Sequence, residues 1–230
     1  MIDATGAPEH APNEPFADRA AAGRTLGQAV RHRLGAGAGD PVVLGLPRGG
    51  VSVAAPVARV LDAPLDVLVV RKIGVPGQPE LAMGAMARDS VVRNSDVIAA
   101  LRISDAAFDA AAATERAVAE ARERDYRGVH AHEPLSGRVA VVVDDGLATG
   151  ATARAAVLAL AQSLDDRPAR VVLAVPVAPA DTLAELRLLV DEIICLATPS
   201  PFYAVGAWYR DFAQVSDAEV RRLLRRAEVG

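Results

Sequence analysis

The sequence predicts an α/β fold: a mainly parallel, twisted sheet with helices on both faces, plus a small hood and a helical insertion. Two observations lead there. The runs PVVLGL (41–46), LDVLVV (65–70), GRVAVVVDD (137–145), ARVVLAVPV (169–177) and DEIICLA (191–197) are short and largely apolar, the pattern of strands buried on both faces. Most are separated by stretches with helical spacing, and that alternation gives a parallel sheet. Ligands of such sheets sit at the carboxyl ends of the strands. Attention therefore falls on the chain after Leu46, after Val70 and after Val143.

The elements follow in order. Residues 1–15 are rich in Pro, Ala and charge and are expected to form a flexible tail ahead of a single domain over 16–230. A helix over 16–34 sets Phe16, Ala20, Leu26, Ala29, Val30 and Leu34 at helical spacing, and GAGAGDP ends it. A second helix, 51–61, contains Pro56, which can kink it or shift its start. From Arg71 to about Ala82 the glycines and prolines predict a loop, and MGAMARDSVV then carries one or two short strands. A long charged helix, 104–127, has Ser104 as N-cap and Asp105 in its first turn. It dominates an insertion over 93–136 whose charges suit a solvated face, a dimer contact or a lid. Helices at 151–164, 180–190 and 216–228 complete the pattern, with an aromatic hood loop over 198–215 before the last.

Composition narrows the function classes. A net charge of -4 gives no broad attraction for nucleic acid. No apolar stretch approaches the ~20 residues that cross a bilayer. The first residues have neither the basic start nor the apolar core of a secretory signal, so a cytoplasmic protein is expected. Cys195 lies in an apolar run and reads as a core thiol. His130 and His132 alternate without a third ligand, so they suit a linker better than a metal site.

The chemistry concentrates in VAVVVDDGLATGAT, 139–152. Asp144 and Asp145 end the most apolar strand. Two carboxylates beside a buried strand are costly without partners. The vicinal hydroxyls of a ribose would supply them, as would a magnesium ion bridging sugar and carboxylate. Ala148, Thr149, Gly150, Ala151 and Thr152 then run into a helix, where small residues, hydroxyls and the helix N-terminus suit a phosphate. After the first strand, Arg48, Gly49 and Gly50 offer a guanidinium fork and bare backbone, also suited to phosphate oxygens. Gly50-Val-Ser52-Val-Ala54 only vaguely matches a hydrolase nucleophile elbow, and no histidine follows a late strand to complete a triad.

This string resembles the type I phosphoribosyltransferases. The closer likeness is to a bacterial group carrying PRGG, PELA and WYRDF strings. The resemblance implies a Mg²⁺-dependent pentosyl transferase that uses 5-phospho-α-D-ribose 1-diphosphate and a small nitrogenous acceptor, and a homo-oligomer. It implies that Asp144 and Asp145 hold the ribose and meet the metal indirectly, and that Ala148 to Thr152 hold the 5′-phosphate. Arg48, Gly49, Gly50, Arg71, Lys72 and Arg210 would meet pyrophosphate, with a cis bond at Pro47–Arg48 and a closing loop from Arg71. Lys72, the sole lysine, suits a role for a compact ammonium. Glu80 would take the acceptor's proton or be merely solvated. Phe202, Tyr203, Trp208 and Tyr209 would stack a flat acceptor, or form an apolar plug or dimer contact. Ala148 replaces the aspartate of 6-oxopurine members, which argues against hypoxanthine and guanine. A regulatory module without turnover, and a phosphorylase or hydrolase of a phosphoribosyl compound, are the alternatives.

Overall fold

The computed structural model describes residues 14–35, 39–128 and 131–227. The main sheet holds β1 (Pro41–Gly45), β2 (Leu65–Val67), β6 (Val139–Val143), β7 (Arg170–Val177) and β8 (Glu192–Ala197), all parallel. Its spatial order is β2-β1-β6-β7-β8. Alternate residues of each strand feed opposite cores, as the two-residue period requires. Val43, Val141 and Val172 pack against α1 (Arg19–Leu34), α2 (Gly49–Leu61) and α7 (Asp217–Ala227). Val42, Leu44, Val142 and Leu173 pack against α5 (Ala151–Gln162) and α6 (Ala180–Leu186). Both faces are thus covered, which explains the uninterrupted apolar runs.

Three expectations are corrected. The segment after Val70 is not a loop but an antiparallel hairpin, β3 (Val70–Val75) and β4 (Gln78–Ala87), turning at Pro76–Gly77. Its register shifts on both sides of Gly74, so Pro79, Glu80 and Leu81 bulge out of the ladder and the proline is tolerated. With β5 (Ser90–Arg93) it forms a separate three-stranded sheet. The second predicted strand is accordingly split. Leu65–Val67 stays in the main sheet, and the Leu68 N–H still reaches Gly45 O at 3.0 Å before the chain departs. The predicted helix over 16–34 starts only at Arg19, because Asp18 caps it by accepting the Ala21 N–H at 2.6 Å.

The expected insertion contains α3 (Ser95–Ala100) and α4 (Asp105–Arg127). Ser104 caps α4 as foreseen, accepting the Ala107 N–H at 3.2 Å. Phe108 and Ala112 of α4 bury against Ile73, Val75, Met83 and Met86 of the hairpin. At its other end Tyr126 is buried, donating from its hydroxyl to Asp217 of α7 at 2.8 Å while Arg122 donates to the same hydroxyl at 3.0 Å. Tyr126→Phe leaves Asp217 and Arg122 each one partner short. Losing such bonds costs about 1–2 kcal/mol, so a melting temperature about 3–6 °C lower is expected by calorimetry. The expected N-terminal tail falls mostly on residues 1–13, outside the described residues. Pro56 sits inside α2 and is buried against α1.

Candidate functional site

Among the five main strands, chain order maps to spatial order 2-1-3-4-5, so the connections change direction between β1 and β6. A crevice opens at the carboxyl ends of strands at such a point. The two motifs singled out from sequence leave the sheet there. Gly45 pairs with Val143 in register, and the Leu46 N–H donates to Val143 O at 2.9 Å. The Pro47–Arg48 peptide is cis, as the resemblance implied.

Gly49 and Gly50 are required by proximity. A Cβ on Gly49 would lie 1.9 Å from Asp145 Oδ2. One on Gly50 would lie 2.7 Å from Val143 O and 2.9 Å from Asp144 Cα. The glycine loop therefore packs directly on the acid pair. Arg48, at the start of α2, keeps a partly exposed guanidinium 4.0 Å from Asp217.

The two acids have different surroundings. Asp144 Oδ1 accepts the Asp145 N–H at 2.9 Å, and no side chain among the described residues pairs with it. Burial first, and then the charge of Asp145, push its carboxyl well above the usual carboxylate range, with Arg19 opposing. Asp145 is instead engaged by Arg19, whose Nε lies 2.8 Å from Oδ2, with side-chain exposures of 12% and 16%.

Sequence reasoning missed Arg19. It is the first residue of α1 and also donates to Ala213 O at 2.7 Å, with its guanidinium 3.8 Å from the Phe212 ring centroid. Phe16 N–H donates to Trp208 O, Arg210 N–H to Phe16 O and Asp211 N–H to Ala17 O, stitching the chain before α1 to the WYRDF segment. Tyr209 donates its hydroxyl to Asp145 O.

That arrangement corrects part of the acceptor-stacking reading. Tyr209 is 6% exposed, and its ring stacks on Phe212, so neither face is free. Burial pushes its phenol well up, so it remains a donor. Trp208 is half-buried against the core behind it. Phe202 is half-buried, and Tyr203 is 84% exposed with a free ring. Arg210 points to Glu14 rather than to the crevice.

Ala148 and Thr149 are exposed beyond the carboxyl end of β6, and Thr182 donates to Ala148 O at 2.8 Å. Gly150, in the left-handed region, opens α5 with no side-chain cap, which leaves the first N–H groups of the helix available to an anion. Thr152 and Ala151 line a cavity of about 980 Å³ shared with Lys72 and Glu80 of the hairpin and Thr114 and Glu115 of α4. Lys72 and Glu80, remote in sequence from Ala151 and Thr152, thus border the same cavity. Arg71 lines the same cavity but is paired with Glu115 at 2.7 Å.

Among the described residues no group of three or more acidic, histidine or cysteine side chains could hold a metal alone. His132 instead meets Glu123 at 3.2 Å, and His130 lies outside the described residues. Two adjacent carboxylates do suit a magnesium ion that arrives with phosphate oxygens and keeps its waters.

An open parallel sheet with an acid pair, a glycine loop and an uncapped helix N-terminus at its switch point defines a class of α/β proteins that bind ligands at strand ends. The chain belongs to the phosphoribosyl transferase family, whose domain matches residues 18–201. It is 50% identical over 214 residues to a protein of Mycobacterium tuberculosis (strain ATCC 25618 / H37Rv) provisionally named a phosphoribosyl transferase. A counterpart in strain CDC 1551 / Oshkosh matches equally. These matches cover 92% of the chain but 47% of each relative, so the chain spans about half the length of the curated relatives it matches. The crystal structure of TT1426 from Thermus thermophilus superposes with a TM-score of 0.79 at 42% identity, covering 92% of this chain and 98% of that one. No described helix is long and apolar enough to cross a membrane.

Proposed function

We propose that the protein transfers the 5-phosphoribosyl group of 5-phospho-α-D-ribose 1-diphosphate to a small nitrogenous acceptor and releases pyrophosphate. The observation that carries this reading is the close approach of Gly49 and Gly50 to Asp145 and Asp144, which supports pairing an anion loop with a diol-binding acid pair. A 5′-phosphate would sit on Thr149 to Thr152 and the N-terminus of α5, the ribose hydroxyls on the acid pair, and pyrophosphate on Arg48 to Gly50. Lys72 lines the same cavity as Ala151 and Thr152 and would neutralise charge on the leaving pyrophosphate. Mg²⁺ bound with the diphosphate would spread that charge further. Glu80, which lines the same cavity, would take the proton that the acceptor loses. Tyr203, exposed in the loop after β8, would offer the acceptor a ring face. Arg71 would serve pyrophosphate only after leaving Glu115.

The test is pyrophosphate release from the diphosphate sugar with Mg²⁺ across a panel of purines, pyrimidines and other amines, with phosphate and water as controls. An Asp144→Asn/Asp145→Asn variant should bind the diphosphate sugar about 100-fold more weakly, as loss of two hydrogen bonds of about 1.4 kcal/mol each implies. Unchanged binding would sink the assignment. Binding by wild type without turnover on any acceptor would replace the enzyme by a binding module.

A further inference from the structure

Within that reading, we infer that the two acids do unequal work: Asp144 carries the ribose, whereas Asp145, held by Arg19, is the post that fixes the anion loop.

Asp145 Oδ2 is occupied from two sides. Arg19 Nε donates to it at 2.8 Å, and the Gly49 backbone packs against it so closely that a Cβ there would be 1.9 Å away. Asp144 also borders the loop, with its Oδ1 3.0 Å from where a Cβ on Gly50 would lie, but it has no ion pair among the described residues and accepts only the Asp145 N–H. Arg19 is itself overdetermined. Its second donor is fixed on Ala213 O at 2.7 Å, and its guanidinium plane covers Phe212 at 3.8 Å, with Tyr209 further away at 5.9 Å. The Tyr209 hydroxyl meets Asp145 from its backbone side, on the carbonyl oxygen. Carboxylate and peptide of Asp145 are therefore both immobilised by the segment 209–213 and the start of α1.

A carboxylate so tied has one edge spent on protein. Its other consequence falls on the neighbour it touches, the Pro47–Gly50 loop. A planar fork locked by two hydrogen bonds and a ring leaves little freedom to the group it holds. Moving Oδ2 by even an ångström opens or closes the space in which Gly49 lies. Arg19 is thus a positioning residue, acting on pyrophosphate through the glycine loop and through Asp145, which lies 126 residues away in the chain.

The experiment separates the two halves of the sugar. Affinities for ribose 5-phosphate and for magnesium pyrophosphate are measured by calorimetry on wild type, Arg19→Met and Asp144→Asn. Arg19→Met should weaken pyrophosphate about tenfold, the usual scale of a lost charge-assisted bond, and ribose 5-phosphate less than about twofold. Asp144→Asn should show the reverse order. Should Arg19→Met not fold, Arg19→Lys keeps the charge but loses the planar fork that reaches Asp145 and Ala213 together, and the ring stack, and the same order at smaller amplitude is expected. Arg19 variants that weaken ribose 5-phosphate as much as pyrophosphate, or move neither, overturn the inference alone. A wild type that binds neither half overturns the phosphoribosyl reading with it.

Discussion

Gly49→Ala should weaken binding of the diphosphate sugar about 100-fold while the protein still folds. The added Cβ would sit 1.9 Å from Asp145 Oδ2 and 2.6 Å from its Cγ. Side chains yield more cheaply than backbone, so the clash is relieved by rotating Asp145 or lifting the loop. Asp145 cannot rotate without breaking its ion pair with Arg19. Either way the loop and the acid pair lose their mutual register, and with it about two hydrogen bonds to the ligand, each worth about tenfold in affinity. Gly50→Ala differs in kind. Its Cβ would meet Val143 O at 2.7 Å and Asp144 Cα at 2.9 Å, both backbone, so the sheet end itself must give. Gly49→Ala should therefore lose ligand with a nearly native melting temperature, and Gly50→Ala should lose both. Calorimetric titration beside thermal melting separates them. Binding by Gly49→Ala within about threefold of wild type would mean that the loop does not act through Asp145.

Much of this was legible before the structure because the relevant signals are local. Five apolar strands announce themselves by composition. The string after Val143 places acids, small residues and a helix start within a few residues of one another, and each has its own chemical reason. What escaped depends on partners far along the chain. Arg19 is one arginine among many in an alanine-rich helix, and only its meeting with Asp145 gives it meaning. Tyr209 has the composition of a stacking residue. Its burial depends on Phe16 and Phe212, which flank its ring at 5.7 and 5.0 Å between centroids. The hairpin after Val70 was hidden by Gly74, Pro76, Gly77 and Pro79, residues that ordinarily break strands. A bulge absorbs Pro79, and a two-residue turn uses Pro76 and Gly77, so the breakers became the hairpin's own punctuation.

The same dependence on distant partners produces the largest expected stability effect, at Asp66. Its side chain is 3% exposed in β2 and bound by Arg127 Nε at 2.6 Å, Arg88 at 3.1 Å and the Glu133 N–H at 3.1 Å, with His132 at 3.6 Å. Arg88 continues to Asp166 at 2.7 Å, and Arg127 and His132 to Glu123 at 3.8 and 3.2 Å. One carboxylate thus joins β2, the β4–β5 turn, the end of α4 and the chain before β6. Asp66→Asn leaves two buried guanidinium groups short of a counter-charge. Breaking a buried pair from one side costs about 3–5 kcal/mol, and a melting temperature about 10 °C lower is expected. The effect has a pH window. Burial alone would raise Asp66, but His132, Arg127 and Arg88 together outweigh it and bring its carboxyl from 3.8 down to about 2. Its stabilisation is full above 3.8 and fades as pH falls through about 2. Burial alone would lower His132, but Asp66 and Glu123 raise it above its ordinary 6.5. Its share is full below 6.5 and fades as pH rises through that higher value. The gap between wild type and Asp66→Asn should therefore be widest from about pH 4 to 6.5 and narrow on both sides. Melting curves from about pH 2.5 to 8 measure it, and a gap that stays constant across that range would mean the cluster is held by packing instead of charge.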